Sequence, residues 1–95
     1  MVNEKRGWPE WWQWEIEISG HLLRRMLDRR ITETDVRAML EDASGFRKDI
    51  EPGRWVIETK REGQPWEVIV EPDRGIRQLV VDNCQYIVHQ FSNDL

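Results

Sequence analysis

Trp12-Gln13-Trp14-Glu15-Ile16-Glu17-Ile18-Ser19-Gly20-His21-Leu22-Leu23-Arg24-Arg25-Met26-Leu27-Asp28-Arg29-Arg30 changes its hydrophobic period once, at Ser19. Up to Ile18 the pattern alternates, with Trp12, Trp14, Ile16 and Ile18 on one side and Gln13, Glu15 and Glu17 on the other. Strict alternation predicts a half-buried strand. After Ser19 the spacing is helical. At about 100° per residue, His21, Arg24, Arg25 and Asp28 share a narrow polar arc, and Leu22, Leu23, Met26 and Leu27 centre on the opposite side. Ser19 is placed to cap this helix through its side-chain oxygen. Arg29 and Arg30 suit the negative end of the helix dipole.

A second helix follows almost at once. Thr32 and Asp35 form a variant capping box. Val36, Met39, Leu40 and Ala43 then recur at i, i+3, i+4 and i+7, a core-facing stripe, with Gly45 expected just past the helix end. Beyond Phe46 the chain reads as strands over Arg54 to Lys60, Trp66 to Glu71 and Ile76 to Val81. A fourth is expected over Tyr86 to Phe91, after an Asp82-Asn83 turn. Glu62-Gly63-Gln64-Pro65 and Pro72-Asp73-Arg74-Gly75 carry turn chemistry. Residues 1–10 lack periodicity and contain Pro9, so a flexible N-terminal segment is expected before a single domain over 11–95. The expected fold is α+β: an N-terminal strand, then two helices packed on an antiparallel sheet of three to four strands.

Ninety-five residues build one modest core. A hydrophobic share of 39% against 34% charged is a soluble globular balance rather than a disordered one. No apolar run approaches the roughly 20 residues needed to span a bilayer, so no membrane association is expected. The single cysteine, Cys84, excludes an internal disulfide, and no spacing suits a metal or a cofactor. These features point to a cytoplasmic protein that uses neither. A net charge of −4 counts against a broad nucleic-acid interface, although the first 31 residues carry a small positive excess.

Several segments together resemble a bacterial family catalogued as domain of unknown function 4258. They are Trp11-Trp12-Gln13-Trp14-Glu15, His21-Leu22-Leu23-Arg24-Arg25-Met26, Ile31-Thr32-Glu33, Gly53-Arg54-Trp55-Val56-Ile57-Glu58 and Pro65-Trp66-Glu67-Val68-Ile69-Val70-Glu71-Pro72. The resemblance covers about residues 10–81. That family looks related to the BrnT and RelE/ParE-like toxins, small α+β proteins, and the relation implies a ribonuclease or another toxin-module role. The chain departs from the family pattern after Val80-Val81, where Asp82-Asn83-Cys84-Gln85-Tyr86 replaces a Val-Thr-Ala-Tyr-Pro ending.

Two functions follow as expectations. The first is a toxin-like, metal-independent endoribonuclease acting on RNA. Such cleavage needs a base for the 2′-hydroxyl, an acid for the leaving oxygen and cations for the phosphorane-like transition state. His21 is the acid–base candidate, with Glu58 or Glu67 to orient it or accept a proton. Arg24, Arg25, Arg54 and Lys60 are the phosphate-binding candidates. The same side chains also fit a solvated helix face and cross-strand Lys–Glu pairing. The second function is a non-catalytic interaction module. Trp8, Trp11, Trp12 and Trp14 are many for one edge of a small domain, and tryptophan anchors interfaces with an antitoxin-like partner or a second copy.

Overall fold

A computed structural model describes residues 7–87. The predicted period change is present at Ser19. Strand β1, Glu15–Ile18, runs into helix α1, Gly20–Arg29, and helix α2, Glu33–Glu41, follows. Four further strands complete the chain: β2 (Gly45–Lys48), β3 (Trp55–Arg61), β4 (Gln64–Asp73) and β5 (Gln78–Tyr86). The Ser19 side chain accepts from the Leu22 N–H at 3.1 Å. Thr32 and Asp35 form the reciprocal capping box. Arg30 ends α1 in the left-handed region at φ 57°, its N–H bonded to the Met26 carbonyl.

The sheet is mixed and has five strands in the order β1-β5-β4-β3-β2. β2 to β5 form an antiparallel meander, and β1 adds to its far edge parallel to β5. The two helices carry the chain from the β1 edge to the β2 edge, and they cover one face of the sheet. That face supplies Ile57, Val68, Val70, Leu79, Val81 and Cys84 to the core, against Leu22 and Met26 of α1 and Val36, Met39 and Leu40 of α2. The buried Thr59 hydroxyl donates to the Met39 carbonyl and ties α2 to β3. Among the described residues, no helix is long and apolar enough to cross a membrane.

Four expectations are corrected. The N-terminal strand is shorter than its alternation suggested, because Glu10–Gln13 forms a 3₁₀ turn behind Pro9. Gly45 opens β2 instead of ending α2. A Cβ there would stand 2.7 Å from a carboxylate oxygen of Glu58 on the neighbouring strand, so the pairing uses the missing side chain. Asp82-Asn83 is no turn, since β5 runs through it to Tyr86. The strand expected over Tyr86 to Phe91 lies outside the described residues beyond Ile87. Finally, Leu23 is 50% and Leu27 83% exposed. α1 touches the sheet mainly through β5, and its buried stripe is the i, i+4 pair Leu22 and Met26.

The N-terminal tryptophans close one end of the core. Trp11 and Trp12 are buried, Trp11 against Trp55 and Trp12 against Trp8, which also meets Phe46 of β2. Trp11 and Trp12 are therefore core residues and present no face to a partner, whereas Trp8 and Trp14 are half-buried. Of the segment 1–10, residues 7–10 are described, and Trp8 is packed. Trp12→Ala removes one of the largest fully buried side chains and should cost about 3–5 kcal/mol in urea unfolding. Leu27→Ala should stay within about 0.5 kcal/mol of the parent, as expected for an exposed position.

Candidate functional site

The open face of the sheet carries the charge. In β4, Val68 and Val70 point into the core and Glu67, Ile69 and Glu71 lie on the other face; in β3, Glu58 and Lys60 do the same. β5 breaks this alternation. Ile69 pairs with Asn83 but Val70 pairs with Val81, so Asp82 is an extra residue in the strand. Such a bulge bends the strand and re-aims its side chains. Val81 and Cys84 both stay buried, so Asp82 and Asn83 fall consecutively on the open side.

The bulge meets the N-terminus of α1. β1 ends at Ile18, opposite Val81, and Ser19 then donates its N–H to the Val81 carbonyl and its hydroxyl to the Asp82 carbonyl. His21, two residues on, is thereby set beside the bulge. On the other side, Arg54 is fixed at the mouth of β3, where the 49–54 turn closes through Asp49 N–H to Arg54 O and Arg54 N–H to Glu51 O. The result is a cleft of about 500 Å³ lined by Ser19, His21, Asp49, Arg54, Ile69, Asp82, Asn83 and Gln85.

Its electrostatics centre on Asp82. The Arg54 Nε lies 3.4 Å from Asp82 Oδ2 and 3.6 Å from Glu71 Oε1, so one guanidinium serves two carboxylates. Asp82 Oδ2 is buried and lacks hydrogen-bond geometry to any described residue. Burial pushes the Asp82 carboxyl above the usual carboxylate range, and the adjoining Glu71 carboxylate pushes it further, against the opposing charges of Arg54 and His21. Asp82 therefore holds its proton more tightly in the folded protein than in the unfolded chain. At the rim, Arg25 Nη1 lies 3.4 Å from His21 Nε2.

The expected site residues separate as follows. His21 and Arg54 line the cleft, and Arg25 touches His21. Arg24 is an exposed neighbour on α1. Glu58 and Glu67 face each other across β3 and β4, and Arg47 bridges them at 3.2 and 2.6 Å. Neither lines the cleft; Glu67 is joined to it through Gln85, whose Nε2 donates to Glu67 Oε1 at 3.2 Å. Lys60 stands apart, in a second hollow with Asp35 and Arg61. Trp14 is half-buried beneath Arg77 and Arg74. Asp82, Asn83 and Gln85 were not among the expected site residues. Among the described residues, no three His, Cys, Asp or Glu side chains are grouped to hold a metal ion.

A carboxyl whose affinity for a proton rises on folding stabilises the fold while protonated. That contribution is lost as pH rises from the unfolded value of about 3.9 through the higher folded one. Asp82→Asn mimics the protonated form. In urea unfolding between pH 4 and 7, its stability relative to the parent should therefore grow as pH rises.

Searches among curated proteins and among solved structures gave no match. A family model described as a domain of unknown function (DUF4258) matches residues 18–81. The match takes in His21 and Arg54 and stops one residue before the bulge. By that match over two thirds of its length, the chain belongs to the DUF4258 family.

Proposed function

We propose that this protein is a metal-independent endoribonuclease of the toxin–antitoxin type, and that the bulge cleft is its active site. The observation that carries the reading is the meeting of His21, Arg54 and Asp82 in one cleft large enough for a nucleotide. Metal-independent RNA cleavage needs one proton acceptor, one proton donor and a cation between them. His21 takes the proton of the 2′-hydroxyl, whose oxygen attacks the adjacent phosphorus. Asp82 protonates the departing 5′-oxygen as the P–O bond breaks, which leaves a 2′,3′-cyclic phosphate and a free 5′-hydroxyl.

Arg54 neutralises the non-bridging oxygens as charge builds on the phosphorane. As the phosphate engages Arg54, Asp82 loses part of its opposing positive charge and keeps its proton more firmly until transfer. Arg24 and Arg25 lie on the α1 surface beside His21, where they suit the flanking phosphates of a single strand. Glu58 and Glu67 are neutralised by Arg47, and the reading gives them no step in proton transfer. The toxin context rests on the resemblance of the family to the BrnT and RelE/ParE-like toxins. An antitoxin-like protein is the expected partner.

The test is cleavage of a fluorescent single-stranded RNA in the presence of a chelator, with the products analysed for a 2′,3′-cyclic end. His21→Ala and Asp82→Asn should each lower the rate by about 10²–10⁴-fold, and Arg54→Ala should be similarly defective. Lys60→Ala should leave the rate unchanged. A substrate with a 2′-deoxy sugar at the cleaved position should be inert. Absence of cleavage by the parent protein, or an unchanged rate in His21→Ala, would overturn the reading.

A further inference from the structure

Two carboxylates meet on one nitrogen beside the cleft. Glu71 Oε1 lies 3.6 Å and Asp82 Oδ2 3.4 Å from the same atom, Arg54 Nε. The ladder brings them there. Glu71 pairs with Val80 and Val70 with Val81, so the inserted Asp82 falls just past the pair next to Glu71. The other Glu71 oxygen, Oε2, lies over Gly53, 3.8 Å from the point that a Cβ there would occupy. The Glu71 carboxylate is also within hydrogen-bond reach of the Asp82 carboxyl. The remaining titratable groups lining the cleft are His21 from α1 and Asp49 from the 49–54 turn.

With both carboxyls ionised, two negative charges would share one positive charge. The Arg47 cluster has the same count, but there hydrogen bonds meet the surplus. Arg47 donates to Glu58 at 3.2 Å and to Glu67 at 2.6 Å, and Gln85 donates to Glu67 at 3.2 Å. Around Arg54 no such donors are in place, and no described residue donates to the buried Asp82 Oδ2. Close carboxylates in that position resist ionising together. We propose that Glu71 is a positioning residue that keeps a proton on Asp82, the two carboxyl groups holding a single proton between them.

Exposure decides which member carries the proton. The Glu71 side chain is 46% exposed and that of Asp82 20%. Burial therefore weighs most on a charge at Asp82, and the Glu71 carboxylate adds to it, against Arg54 and His21. The pair stands on this geometry alone; the use of its proton rests on the ribonuclease reading. In that reading the O–H bond of Asp82 breaks as the departing 5′-oxygen gains the proton, and Asp82 becomes a carboxylate. After release Asp82 takes a proton back from water, and His21 gives up the one it received. Glu71 stays ionised throughout and touches no reacting atom.

The experiment follows the carboxyl carbons of the full chain by NMR through a pH titration. In the parent, which needs no substitution, Asp82 should titrate above the ordinary value of about 3.9. Glu71→Gln keeps the shape, removes the charge, and should shift the Asp82 midpoint to lower pH. Glu58→Gln removes a charge of the same sign from the Arg47 cluster and should leave the midpoint in place. A parent midpoint at or below the ordinary value overturns the inference. So does a midpoint unmoved in Glu71→Gln, or one lowered equally by Glu58→Gln. An acid works only while protonated, so the alkaline limb of the cleavage pH–rate profile should move down with the midpoint in Glu71→Gln. If the midpoints behave so and no RNA is cut, the shared proton stands and the ribonuclease reading fails. If His21-dependent cleavage is found and Glu71→Gln leaves the midpoint unmoved, the ribonuclease reading stands and the shared proton fails.

Discussion

Between Val81 and Asn83, the fifth strand carries one residue more than the partner it pairs with. Sheets tolerate such an insertion where a strand has one neighbour to match, and less readily where it has two. β1 stops at Ile18, opposite Val81, so the insertion falls at the first position where β5 answers to β4 alone. Ser19 takes over the edge there, with its N–H on Val81 and its hydroxyl on Asp82. Strand end, helix start and bulge therefore coincide at one point. His21 reaches the open face because α1 begins there, and Asp82 and Asn83 reach it because the alternation slips there.

The open face of this acidic protein gathers its carboxylates around two guanidiniums. Glu58 and Glu67 stand directly opposite each other, an arrangement that repels unless a cation lies between them. Arg47 is that cation. Glu71 and Asp82 repeat the arrangement around Arg54, but with a difference that matters chemically. Arg47 donates to both of its carboxylates with hydrogen-bond geometry, whereas Arg54 makes looser contacts of 3.4 and 3.6 Å. The first cluster is closed on itself. The second leaves its guanidinium without a fixed hydrogen bond to either carboxylate, and the half-buried Asp82 carboxyl holds its proton more tightly than in the unfolded chain.

The α+β class followed from the period switch at Ser19 and from two capping signals that bind their helix ends as the residue types require. What escaped a reading of the sequence depends on contacts between distant segments. β2 is four residues, Gly45–Lys48, with no apolar alternation of its own; it is a strand because β3 pairs with it. Leu23 and Leu27 belong to the apolar side of α1 by angle, but the sheet reaches only as far as Leu22 and Met26. The tryptophans looked surplus because the end of the core that they close is assembled from β2, β3 and the 3₁₀ turn. His21 and Arg54 stood out because of their chemistry, while Asp82 and Asn83 did not. Asp-Asn is ordinary turn chemistry, and the signal against a turn was the spacing of Leu79, Val81 and Cys84, two residues and then three.

A chain this short has little stability to spare: folded domains keep about 5–15 kcal/mol in all. A buried polar atom without a partner costs about 1–3 kcal/mol. Asn83 carries one at Oδ1, beside an Asp82 carboxylate that Arg54 holds only loosely, in the longest ladder of the sheet. The cost is borne where the pairing of β4 with β5 and the tryptophan-closed core beneath it are most able to hold the strands in register. A bulge with the same backbone but apolar side chains would be more stable and chemically silent. The concentration of a crowded carboxyl, an orphan amide oxygen and a loosely held guanidinium around one inserted residue is thus hard to explain as packing.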